Sequence, residues 1–171
     1  FPVRINMDKG LLEYLLVRNG GKTHESLFLT DVEPYNIQLA GLLLNMEGAD
    51  TPLPYQGASE LPTGEHLKLS VALVDEQGRT HHFDPGVWLK KVIEEKIEAV
   101  ENLDWIFTGS TISNGRFLAQ MEGSIIALYH DPVAIIDNGS PGGDSDEIWF
   151  VNDDTVPPIG TSAVLTIQIA K

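Results

Sequence analysis

The densest run of reactive side chains is Lys22-Thr23-His24-Glu25-Ser26. An imidazole, a carboxylate and a hydroxyl in consecutive positions supply the parts of a hydrolytic or metal-assisted site. His24 would be the general base, Ser26 the nucleophile and Glu25 the acid or metal ligand. On a strand, His24 and Ser26 share one face and Glu25 points away. No Gly-x-Ser-x-Gly elbow surrounds Ser26, so the same residues also fit a polar strand start bonded to neighbouring main chain. Gly21-Lys22-Thr23 has the ending of a phosphate loop but lacks the glycine five residues ahead of Gly21.

A second constellation lies between Asp137 and Glu147. Asp137, Asn138, Asp144, Asp146 and Glu147 offer hard oxygen ligands on a Gly-rich backbone, the chemistry that Ca²⁺ takes. The EF-hand spacing is absent, because Gly139 and Pro141 stand at its third and fifth positions, and a solvated acidic loop is the plainer reading. His81-His82 with Asp84 offers imidazole and carboxylate, yet adjacent strand residues face opposite sides, so at most one of the two histidines joins any site. The chain has no cysteine, which removes thiolate nucleophiles, iron–sulfur clusters and Cys-type zinc sites together.

The elements that must carry these groups follow from patterning. Leu11 to Val17 and Ser26 to Thr30 read as two strands, paired as a hairpin across Asn19-Gly20-Gly21. Pro34 to Met46 is apolar all round and predicts the main core helix, buried against a sheet. Residues 49–64, rich in Pro and Gly, read as a surface loop. His66 to Asp75 alternates apolar and polar and pairs with Thr80–Phe83 across Glu76–Arg79. Trp88, Val92, Ile97 and Val100 recur at helical spacing and predict a second, amphipathic helix within Gly86–Glu101. Trp105–Thr108, Arg116–Gln120, Ser124–Tyr129, Val133–Ile136, Ile148–Val151 and Ala163–Ile169 are further strands, and 137–147 is a loop without a hydrophobe. The expected fold class is α+β: a mixed, mostly antiparallel sheet with one buried helix and one amphipathic helix, in a single domain over residues 1–171.

Composition bounds the partners. The 171 residues include 25 Asp+Glu against 11 Lys+Arg, a net charge of −14, and residues 117–170 hold eight acids with no Lys or Arg. Such a field repels polyanions, so nucleic acid is not the expected partner; a cation or a basic protein is. No apolar run approaches the roughly 20 residues of a membrane helix. The chain opens at Phe1 rather than Met, so a signal peptide or lipid anchor is expected upstream.

The order of motifs resembles the YdjY-type domain of bacterial exported proteins. Gly10-Leu-Leu-Glu-Tyr-Leu-Leu-Val17, Gly21-Lys-Thr-His-Glu-Ser26 and Thr30-Asp-Val-Glu-Pro34 come first. Asp104-Trp-Ile-Phe-Thr-Gly-Ser110, Glu122-Gly-Ser-Ile-Ile126 and Val156-Pro-Pro-Ile-Gly-Thr161 follow in the expected order. The resemblance spans about residues 10–169 and implies a secreted or lipid-anchored protein with no particular reaction attached. It singles out His24, Glu25 and Ser26, together with Thr108 and Ser110, as a candidate functional cluster. The reading that results is an extracytoplasmic, non-enzymatic domain that binds a ligand or partner. The alternatives are a hydrolase or metal-assisted enzyme centred on His24, Glu25 and Ser26, and a calcium-stabilised surface module.

Overall fold

A computed structural model describes residues 1–170 of the chain. Fourteen strands and two short helices follow in order: β1 (Pro2–Ile5), β2 (Tyr14–Arg18), β3 (Ser26–Thr30), α1 (Pro34–Leu43), β4 (Glu65–Val74), β5 (Thr80–Phe83), β6 (Leu89–Ile93), β7 (Lys96–Ala99), β8 (Trp105–Phe107), β9 (Ile112–Ser113), β10 (Arg116–Phe117), α2 (Leu118–Glu122), β11 (Ser124–Ala127), β12 (Ile136–Asn138), β13 (Trp149–Val151) and β14 (Ser162–Ile169).

Eight of the strands close into a barrel in the order β14-β1-β3-β2-β11-β12-β8-β4, with β4 pairing back onto β14 and β5 added beside β4. The expected α+β class is therefore corrected: the helices span ten and five residues, and the architecture is mainly β. Register shows why the barrel closes. Val3 sits opposite Ala163, Ile5 opposite Phe28, Leu16 opposite both Phe28 and Ile126, Ile136 opposite Phe107, and Leu165 opposite Val71. Paired residues face the same side, so these side chains form one continuous inner lining, and all of them belong to the same buried core. Closure leaves few free strand edges.

The ten-residue β4 makes this possible. Along one side it pairs with β14; along the other, Glu65–Leu67 bonds β8 and Val71–Val74 bonds β5. The β4–β5 hairpin forms at the turn that the sequence predicts. The β2–β3 hairpin does not: the two strands run parallel, Leu16 beside Phe28, joined by Asn19–Glu25. Their antiparallel neighbours are β11, from far along the chain, and β1, the strand that precedes β2.

The predicted core helix is α1, but it is not buried. Only Pro34, Ile37 and Gly41 face inward, while Tyr35, Leu39, Leu42 and Leu43 are exposed. The barrel fills its interior with strand side chains, so the helix has only the barrel end to cover. The predicted second helix is absent. Pro85–Trp88 forms a 3₁₀ turn, with Gly86 N donating to Asp84 Oδ1 at 2.7 Å. The chain then folds into the β6–β7 hairpin, which with β13 makes a separate three-stranded sheet. Glu94 and Glu95 at its tip have φ of 48° and 64°, the pair of left-handed residues that a two-residue hairpin turn requires.

Candidate functional site

Both ends of α1 are moored. At its start, Glu33 accepts from Arg18 Nη1 at 3.0 and 3.2 Å and from the Gln120 side-chain amide, and Gln120 Oε1 in turn accepts from Tyr35 N at 3.0 Å. At its end, Asn45 takes a left-handed φ of 58° and Met46 N returns to the Gly41 carbonyl at 3.0 Å, which turns the Met46 side chain inward. Gly41 is required in between, since a Cβ there would lie 2.8 Å from the Phe107 ring.

A cavity of about 340 Å³ remains between this helix and the barrel end. Ile37, Gly41 and Met46 line it from the helix side, and Phe107, Ile136 and Leu165 from the barrel side. Leu44, Met46 and Ile167 also line an adjoining groove of about 510 Å³, whose other walls are Lys68, Gln168 and Ile169. Lys68 is the one charged side chain lining either space among the described residues. An apolar cavity with a polar group at its rim, in the mouth of a barrel, is a usual form of small-molecule site.

The residues singled out from sequence are spread over the molecule. His24 and Glu25 lie in a 3₁₀ turn (Thr23–Glu25) rather than on a strand, with His24 Nε2 3.2 Å from Glu25 Oε1 and the His24 side chain 75% exposed. Ser26 is fully buried at the start of β3, and its Oγ donates to the Phe28 carbonyl at 2.8 Å. Thr108 Oγ1 is bonded to the Ala134 and Ile135 carbonyls and Ser110 Oγ to the Val133 carbonyl, which stitches the end of β8 to the segment before β12. Among the described residues no hydrogen bond joins His24 to Ser26 or Ser110.

Asp137 and Asn138 are buried in β12, whereas Asp144, Asp146 and Glu147 are exposed beyond it, so the stretch read as one loop divides. No group of three or more His, Asp or Glu side chains converges among the described residues. His81 Nε2 meets Asp75 Oδ2 at 2.8 Å, and Arg79 Nε meets the same oxygen at 2.7 Å.

Sequence reasoning passed over a buried polar cluster. Tyr14 donates to Asp131 Oδ2 at 2.7 Å and accepts from Lys22 Nζ at 2.6 Å. Burial first, and then the Asp131 charge, raise the Tyr14 phenol far above its usual range, so it keeps its proton. Behind it, His130 is wedged between two carbonyls, Nδ1 at 2.8 Å from Ala58 O and Nε2 at 2.9 Å from Asn138 O. Both contacts are hydrogen bonds only when both nitrogens carry a proton. Asp137 accepts from the main-chain amides of Asp131 and Asn138, at 2.9 and 2.7 Å. Burial raises its carboxyl to about 7, against the opposing pull of His130 and of those two amides. Gly143 closes the knot: a Cβ there would fall 2.1 Å from His130 Nε2.

The YdjY domain family matches residues 3–168. The chain belongs to that family. No curated protein and no solved structure gives a significant match. Within the YdjY domain, the cavity under α1 and the polar knot around His130 are thus both read from geometry. No helix among the described residues of this YdjY domain is long and apolar enough to cross a membrane.

Proposed function

We propose that this YdjY domain is an extracytoplasmic binding module that holds an apolar small molecule at the barrel end beneath α1, without chemical turnover. The observation that carries the reading is the cavity of about 340 Å³, lined by Ile37, Gly41, Met46, Phe107, Ile136 and Leu165. Its size falls in the range of about 300–1,000 Å³ that small-molecule sites occupy. Each methylene moved from water into such a space contributes about 0.8 kcal/mol, so an alkyl or aryl group supplies affinity without a polar anchor at the inner end. The extracytoplasmic placement rests on the family resemblance, and the cysteine-free sequence is compatible with an oxidising compartment.

The test is uptake of the neutral dye N-phenyl-1-naphthylamine. The wild-type domain should bind it saturably with enhanced fluorescence. Ala40→Trp, which places an indole in the cavity from a position on α1, should abolish uptake while the circular-dichroism melt stays cooperative. Equal uptake by both proteins, or none by either, refutes the cavity as a ligand site.

A further inference from the structure

We infer that the ligand is an amphiphile with a single negative charge, an alkyl carboxylate, whose tail lies under α1 and whose head is held by Lys68; this rests on the cavity being the binding site. The two spaces adjoin at Leu44, Met46 and Ile167, which line both; the cavity wall is mainly apolar and the groove wall carries Lys68. Lys68 stands on β4 between Leu67 and Leu69, which are buried in the core, and opposite Gln168 of β14. The alternation of the strand therefore turns Lys68 to the outside, where it is exposed.

With 25 acids to 11 bases, cations are readily claimed: Arg4, Arg18, Lys22, Arg79 and Lys90 each lie within 4 Å of a carboxylate, and Lys91 bonds the Pro141 carbonyl. Among the described residues Lys9, Lys68, Lys96 and Arg116 have neither an ion pair nor a side-chain hydrogen bond, and of these four Lys68 alone lines the cavity or the groove. An unpaired lysine on the groove beside an apolar cavity, whose wall also includes the Phe1 amino group bonded to the Leu165 carbonyl at 2.8 Å, complements an anionic head on an apolar tail.

The surroundings set the charge of that head. Glu47, Asp50 and Glu65 line the neighbouring surface depression, next to His66. These carboxylates repel any anionic head, a dianion about twice as strongly as a monoanion, so the attraction of the single Lys68 suits a head of one negative charge better than one of two.

Calorimetry with decanoate, decan-1-ol and decyltrimethylammonium at pH 7 and low salt separates these cases. The wild-type domain should bind decanoate about threefold to tenfold more tightly than decan-1-ol, the scale of an exposed charge pair. Lys68→Gln should erase that preference and leave decan-1-ol affinity unchanged, Lys68→Arg should retain it, and Lys68→Glu should transfer it to the ammonium. Added salt should shrink it. An unchanged preference in Lys68→Gln, or equal binding of acid and alcohol by the wild type, overturns the role of Lys68 and leaves the cavity reading intact. Decanoate and decan-1-ol binding that survives Ala40→Trp overturns the cavity reading itself.

Discussion

The hydroxyl of Tyr14 donates to the carboxylate of Asp131 at 2.7 Å, a bond between β2 and a segment 117 residues further along the chain. The same hydroxyl accepts a hydrogen bond from Lys22 Nζ, and the Asp131 side chain also accepts from Val133 N at 2.9 Å. One phenol thus joins a cation to a buried anion.

Removing that hydroxyl leaves the buried Asp131 carboxylate one hydrogen bond short, whereas Lys22 is partly exposed and stays within 4 Å of Glu122 and Asp131. Tyr14→Phe keeps the buried ring and should lower unfolding free energy by about 1–3 kcal/mol, the cost of an unsatisfied buried polar group. Urea denaturation followed by tryptophan fluorescence measures it. A loss below a few tenths of a kcal/mol would show that the bond contributes nothing.

Asp137 gives the domain a pH dependence of definite sign. Its folded value, about 7, lies above the unfolded one, so the native state holds a proton that the unfolded chain has already released. Its contribution to stability is complete below the unfolded value and is lost as pH rises through about 7. His130 beside it pulls that value down and Asp131 pushes it up. Between pH 4 and 7 stability should fall by up to about 1.4 kcal/mol per pH unit from this group. Asp137→Asn should be less stable throughout, because its amide cannot accept from both main-chain N–H groups, and this slope should vanish. Melting curves across that pH range decide the matter; identical slopes in the two proteins would refute the assignment.

The β6–β7 turn holds two glutamates in a conformation that L-residues with long side chains adopt at a cost. Replacing them with the pair favoured there, Glu94→Asn together with Glu95→Gly, should raise stability by about 1 kcal/mol. For a domain of this length that corresponds to about 2–4 °C in Tm. Calorimetry of the double variant checks it, and a lower Tm counts against the turn assignment.

Local pattern was legible where one strand answers its neighbour. The alternation of Leu67, Leu69, Val71 and Leu73 against Lys68 and Ser70, followed by a short turn, specifies β4 and β5 correctly. The 86–101 stretch misled because Trp88, Val92, Ile97 and Val100 happen to recur at near-helical intervals. The turn at Glu94-Glu95 carries neither Gly nor Asn to announce it. The apolar surface of α1 was visible, but periodicity describes a helix and not its neighbour, and the neighbour here is a barrel already filled. The buried place of Asp137 was hidden by Gly139, Pro141 and the Gly142-Gly143 pair, which marked the region as loop; the preceding Ile135-Ile136 was the signal that it continues a strand. The cavity was illegible because its walls come from residues near 40, 107, 136 and 165, which only long-range pairing assembles.

The closing position of β14 bears on how the chain acquires its structure during synthesis. This strand bonds β1 on one side and β4 on the other, over Pro2–Arg4 and Leu67–Ala72. Until residues 162–169 emerge, the seam is open and two strand edges wait for a partner that does not yet exist. The barrel therefore closes only once residues 162–169 have been made. Until then its non-local pairings cannot form, and the edges of β1 and β4 that β14 covers stay open.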